Sequence, residues 1–137
     1  METEGLLAPE TAEAARDHYA ALGPQAQVLV KELAKAMDLD SEAYAERVDE
    51  DVVATAREVM FAGRLEVHTG TRAEFDAWVA DREESVTELG SEHVDNVAWH
   101  AAPAVGEIVA ATYQDERRAA VETLRRQALG RCYREVL

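Results

Sequence analysis

The chain has 137 residues, with 28 acidic side chains against 14 lysines and arginines and a formal net charge of −14. Its 47% hydrophobic content excludes a disordered polymer, and its single cysteine, Cys132, excludes an internal disulfide or a cysteine-based zinc cluster. No apolar run reaches the length needed to cross a bilayer, which excludes a membrane-spanning helix.

Only two of the basic residues are lysines, Lys31 and Lys35; the rest are arginines. Acid excess with few lysines is the surface expected of a protein dissolved in molar salt. There the Debye length shrinks to about 3 Å and repulsion between carboxylates is screened. An ordinary acidic protein of a GC-rich genome is the plainer alternative. Charge this negative would strain a small domain in dilute buffer, which favours the salt-adapted reading. The opening METEGLLAPETAE carries neither the basic nor the apolar region of a secretion signal, so a cytoplasmic location is expected.

Taken in order, the first helix is expected from Pro9, with Glu10 and Glu13 near its positive end, stopping at Gly23. Pro24 opens a second helix near 24–37 that buries Val28, Leu29, Leu33, Ala36 and Met37. Asp40-Ser41 caps a short helix containing Tyr44 and Val48, and Asp49 starts another with Val52, Val53, Ala56, Val59 and Met60 inward, ended by Gly63. Leu65 to His68 reads as a lone extended piece. Thr71-Arg72-Ala73-Glu74 reads as a capping box opening a helix with Phe75, Trp78, Val79, Val86 and Leu89 inward, closed by Gly90.

Val97 to Tyr113 holds a single formal charge, Glu107, and reads as a central helix capped by Ser91. At about 100° per residue, Val94, Ala98, Ala101, Val105, Ile108, Val109 and Thr112 share one side. Pro103 marks a kink or a restart. A last amphipathic segment runs from Arg117 with Val121, Leu124, Ala128, Leu129, Cys132, Tyr133 and Val136 on one side. The expectation is therefore an all-α fold: one domain over 1–137, a bundle of about six or seven helices around a central apolar helix, with at most one short extended segment.

The sharpest candidate for chemistry is a polar stripe, His93, His100 and Glu107, spaced seven residues apart on the expected central helix, with His68 able to join from the extended piece. Histidines with a carboxylate suit zinc or iron. Seven residues of helix rise about 10.5 Å, too far for two of them to share one ion unaided. A solvated or structurally satisfied polar face is the simpler account, and the ligand or metal reading requires the four side chains to converge on a cavity. Phe75, Trp78, Trp99 and Tyr113 are expected in the core, as is Cys132, which has no activating base in view. No phosphate loop, nucleophile elbow or dinucleotide fingerprint is present, so no cofactor is expected.

Val28 to Val48 has the outline of a helix–turn–helix, with Arg64 to Gly70 as a possible wing, but Ala36 to Gly63 is strongly acidic and would repel phosphates. Arg117, Arg118, Arg125, Arg126, Arg131 and Arg134 make the C-terminal segment the better nucleic-acid candidate, provided four or more share one exposed face with no acid between them. Their alternation with acids fits salt-bridging within the chain or to a second subunit equally well.

Gly70 to Trp78 (GTRAEFDAW), with Gln114 to Arg117 and Leu124 to Ala128, resembles an uncharacterised protein family of halophilic archaea. That resemblance implies a high-salt cytoplasm and assigns no activity to any residue. The functional expectation is a small protein-interaction or regulatory module. It would self-associate or bind a protein partner through Arg117, Arg118, Arg125 and Arg126 or through the alanine-lined stripe, without nucleic acid or membrane. The alternative is a ligand- or metal-binding protein or enzyme using His68, His93, His100 and Glu107.

Overall fold

The computed structural model describes all residues, Met1 to Leu137. It overturns the all-α expectation. The chain is α/β: a five-stranded mixed sheet, ordered β1-β2-β4-β5-β3, is packed by helices. The strands are β1 (Glu2–Glu4), β2 (Val67–Thr71), β3 (Ser85–Leu89), β4 (Asn96–Ala102) and β5 (Glu107–Tyr113). The helices are α1 (Ala12–Ala21), α2 (Gly23–Ala36), α3 (Ser41–Arg47), α4 (Glu50–Arg64), α5 (Arg72–Val79) and α6 (Arg117–Ala128). No helix is long and apolar enough to cross a membrane.

The stretch expected as the central helix is the central β-hairpin. Asn96 pairs with Tyr113 and Ala102 with Glu107, antiparallel throughout. A single 3-10 turn at Pro103–Val105 connects the strands, and Gly106 follows it at φ 68°, a left-handed conformation that glycine adopts without a Cβ penalty. The reason for the misreading is burial on both faces. Ala98, Ala102 and Val109 point to the helices α1, α4 and α6, while Val97, Trp99, Ala101, Ile108 and Ala110 point to α5. A strand buried on both sides loses its polar alternation and reads as a continuous apolar run, which periodicity cannot tell from a buried helix.

Of the other strands, β1 and β3 were not expected, and β2 was expected only as an unpartnered piece. The expected lone piece is β2, held on one side by β1 and on the other by β4. The helix expected to run from Thr71 to Gly90 stops at Val79, and Ser85–Leu89 forms β3, parallel to β5. The edge strands carry Glu2, Glu4 and Glu88, charges that discourage edge-to-edge association.

Helix starts follow local chemistry. The side chains of Thr11, Asp40 and Asp49 accept from the third amide onward, and Thr71 and Glu74 form the full capping box. The last segment is separate from the hairpin. It is α6 and a π-type turn at Leu129–Tyr133, laying Val121, Leu124, Ala128, Leu129, Cys132 and Tyr133 onto the sheet.

Between β1 and β2 lies a long helical excursion. The C-terminal end of α4 is anchored in the core by Phe61 and Ala62. Helix α2 packs on α4, with a lighter contact to α1, burying Ala26, Val30 and Ala34, none of which belongs to either core cluster. With α3 bridging their far ends, α2 and α4 form an arm extending from the sheet body.

Candidate functional site

The structure does not bring His68, His93, His100 and Glu107 together. His68 is directly opposite Trp99 in the β2–β4 ladder, so the two share a face; His100, the next residue, is on the other. His68 is stacked against Trp78 and Trp99, with ring centroids at 5.1 and 5.6 Å. Its Nδ1 is 2.8 Å from Thr3 Oγ1, and its Nε2 is 3.0 Å from Glu66 Oε1. Burial lowers its pKa, opposed by the Glu66 carboxylate. His93 is in the exposed loop before β4. No group of three or more histidine, cysteine, aspartate or glutamate side chains is placed to hold a metal ion.

His100 is wholly buried and fully satisfied. Its Nδ1 donates to the Glu66 carbonyl at 2.7 Å, because a carbonyl only accepts; its Nε2 therefore accepts from the Tyr133 hydroxyl at 2.6 Å. Burial pushes its pKa down to about 4. Glu107 is at the start of β5, where its Oε2 receives a long contact from Cys132 Sγ at 3.7 Å. Burial and that carboxylate push the Cys132 thiol up to about 12, the opposite of an activated nucleophile. These groups stitch α6 and its terminal turn to the sheet.

The C-terminal arginines do not form an open cationic face. Arg125 is buried, with Nε donating to the Leu65 carbonyl and Nη1 to Glu122 Oε1, both at 3.0 Å. Arg117 donates to Thr69 Oγ1 and pairs with Glu2 and Glu4, and Arg134 pairs with Glu58. Arg118 and Arg126 remain exposed on α6 with Glu122 between them, and Arg131 is exposed on the terminal turn. The nucleic-acid reading needed four guanidinium groups on one face without an acid between them, and the fold does not supply them. The alanine-lined stripe is dispersed as well: Ala104 is half-buried in the turn between β4 and β5, and Ala111 is half-buried in β5.

The surface that does stand out is on the arm. The inward set expected for α2 is reversed: Val28, Leu29, Leu33 and Met37 are exposed, and Ala26, Val30 and Ala34 are buried. On α4, Val52 and Val59 are exposed as well. Leu29, Leu33 and Met37 recur every four residues along one flank of α2. Val52 and Val59, two turns apart, share a face of α4, and Leu33, Met37 and Val52 line one groove of about 200 Å³. Leu33 is 55% exposed, Met37 63% and Val59 63%, in a chain that otherwise covers itself with carboxylates. The sequence carried a signal that was passed over. Its second helix is apolar through Ala26, Val28, Leu29, Val30, Leu33, Ala34 and Met37, a wider sector than one neighbouring helix can cover.

Fold and surface together define an α/β protein whose sheet body buries His100 with both ring nitrogens bonded and whose helical arm presents an apolar flank. The chain belongs to a family of unknown function, DUF5809, matched over residues 6–134. No curated protein and no solved structure matches it.

Proposed function

We propose that the protein is a small interaction or regulatory module that self-associates through the apolar flank of its α2–α4 arm. The observation carrying this reading is the row of Leu29, Leu33, Met37, Val52 and Val59 left uncovered on one side of the arm. Completing the burial of five half-exposed aliphatic side chains is worth about 1 kcal/mol each, so about 10 kcal/mol for two copies. That is comparable to the roughly 4–15 kcal/mol of freedom lost on association, so a dimer of moderate affinity is within reach.

Charge favours a second copy as the partner. Helix α2 holds both lysines, Lys31 and Lys35, against Glu32, while α4 holds Glu50, Asp51 and Glu58 against Arg57 and Arg64. A two-fold pairing that lays α2 of one copy beside α4 of the other sets a net-positive helix against a net-negative one. The setting we propose is the high-salt cytoplasm of a halophilic archaeon. Formal charge −14 with only two lysines among 14 bases supports it, since concentrated salt screens the carboxylates and leaves apolar contact as the dominant attraction.

Light scattering coupled to size exclusion, in about 2 M KCl where surface charge is screened, tests the proposal. The unaltered chain should elute as a dimer, and Leu33→Asp with Val59→Asp as a folded monomer. A monomer at millimolar concentration for the unaltered chain would sink the reading.

A further inference from the structure

Where the arm joins the sheet body, the loop after β1, the end of α1 and the last turn of α4 surround a recess of about 430 Å³. That volume suits a small organic molecule, and a junction between two parts of a fold is a common place for one to bind. Three leucines supply the apolar lining. Leu7 and Leu22 are buried, while Leu6 is 96% exposed, the barest of the chain's large apolar side chains.

What the recess lacks is an acid. The chain carries 28 acidic side chains against 14 lysines and arginines, yet no aspartate or glutamate lines this space. Its polar side chains are donors. Arg64 Nη2 donates to Gln25 Oε1 at 3.0 Å, a neutral amide, so its charge is not offset by a carboxylate. His18, in the last turn of α1, is exposed and makes no side-chain hydrogen bond, and either neutral tautomer of its ring presents one N–H. The two donors share one end of the recess. His18 is one helical turn before Leu22, and Leu22 caps α2, whose first turn carries the Gln25 that holds Arg64.

The two glycines of the lining differ in a telling way. Gly5 is required by its neighbours, because a Cβ there would come within 2.4 Å of the Leu65 carbonyl oxygen. Gly63 has no such reason. It lies inside α4, where glycine is a poorer helix former than alanine, and a Cβ there would meet nothing within 4 Å. It leaves bare backbone and free space where α4 borders the recess. Close approach by a ligand accounts for it.

We infer that this recess binds a small carboxylate with a compact aliphatic body, its anionic group on Arg64 and the His18 ring N–H and its body against Leu6, Leu7 and Leu22, over Gly63. A carboxylate matches the planar donor fork of a guanidinium, whereas an ammonium would meet like charge there. None of the residues on the proposed dimer surface lines the recess, so the inference does not rest on self-association. Oligomeric state and ligand binding are read by different measurements, and either can fail alone.

The test is two-dimensional amide NMR of the full chain in KCl, titrated with cyclohexanecarboxylate, cyclohexanemethanol and cyclohexylmethylamine, three probes of one shape and different charge. Saturable shifts at Gly5, Leu7 and Gly63 are expected with the carboxylate, with binding about tenfold weaker for the alcohol and none for the amine. Arg64→Gln, a change at an exposed side chain, should weaken the carboxylate about tenfold, whereas Arg118→Gln on α6 should leave it unchanged. Gly63→Leu fills the recess from open space. It should abolish binding while leaving the melting temperature equal or higher, because leucine is the better helix former. Cyclohexanemethanol binding as tightly as the carboxylate would overturn the inference, as would shifts that stay linear in concentration or that persist in a folded Gly63→Leu chain.

Discussion

Acid should loosen the attachment of α6 to the sheet through one buried imidazole. His100 is neutral in the folded chain, with a pKa pushed from 6.5 down to about 4 by burial. Between those values the unfolded chain takes up a proton that the folded chain refuses, so stability falls as pH falls. The His100 contribution is fully present above about pH 6.5 and exhausted below about pH 4. Such a shift corresponds to about 3 kcal/mol in the limit, most of it already lost at pH 4.5. His68 is shifted in the same direction, and protonation of surface carboxylates relieves repulsion in the other, so the unaltered chain alone does not isolate the effect. Urea denaturation of the unaltered chain and of His100→Gln, in parallel from pH 7.5 to 4.5 at constant KCl, does so by difference. The glutamine amide can donate to Glu66 and accept from Tyr133 without titrating. The variant should be less stable at neutral pH, and the gap should narrow by about 2–3 kcal/mol at the acid end. A gap independent of pH would refute the reasoning.

Thr71→Ala removes half of the capping box that starts α5 and should cost about 1 kcal/mol in urea denaturation; a neutral result would mean that packing of Phe75 alone sets that helix start. Gly90→Ala and Gly106→Ala both place a Cβ at positive φ, but the first meets Thr112 Oγ1 at 2.2 Å and the second meets open space. Gly90→Ala should therefore lower the melting temperature clearly more than Gly106→Ala, and equal losses would contradict the contact. Cys132 should resist iodoacetamide at pH 8 in the folded chain and react readily once unfolded, since its thiol is held near 12; rapid native-state alkylation, followed by mass spectrometry, would show the burial to be wrong.

Three caps announced helices that are present, while Ser91, read as a fourth, precedes a strand. Asp40, Asp49 and Thr71 bond backbone amides in the fold as their positions imply, because an N-cap is a local interaction that needs no tertiary partner. The sheet was not legible, because its central pair depends on what covers it. Val97 to Ala102 and Ile108 to Ala110 are buried from both sides, and the resulting run matches a helical template by accident of its alanines. The turn at Pro103 to Gly106, between two seven-residue apolar stretches, was the local sign that a hairpin competed. The histidines failed as a site for the same reason. On a helix, His93, His100 and Glu107 share a face; with His100 on a strand and His93 in a loop, one is in the core and the other in solvent. Side-chain exposure on α2 was misjudged because periodicity reveals that a face is apolar but not whether anything covers it.

The excursion that carries the arm leaves the sheet after Glu4 and returns at Val67. Both attachment points are fixed by pairing of β1 with β2, so the intervening length is not constrained by the sheet. Closing a longer loop costs only about 0.6 kcal/mol for each doubling of its length. The sheet body is therefore a fixed chassis on which the arm can be lengthened, trimmed or resurfaced at little thermodynamic cost. Within a lineage, the surface of α2, α3 and the first half of α4 can drift while the hairpin and α6 stay under the discipline of close packing.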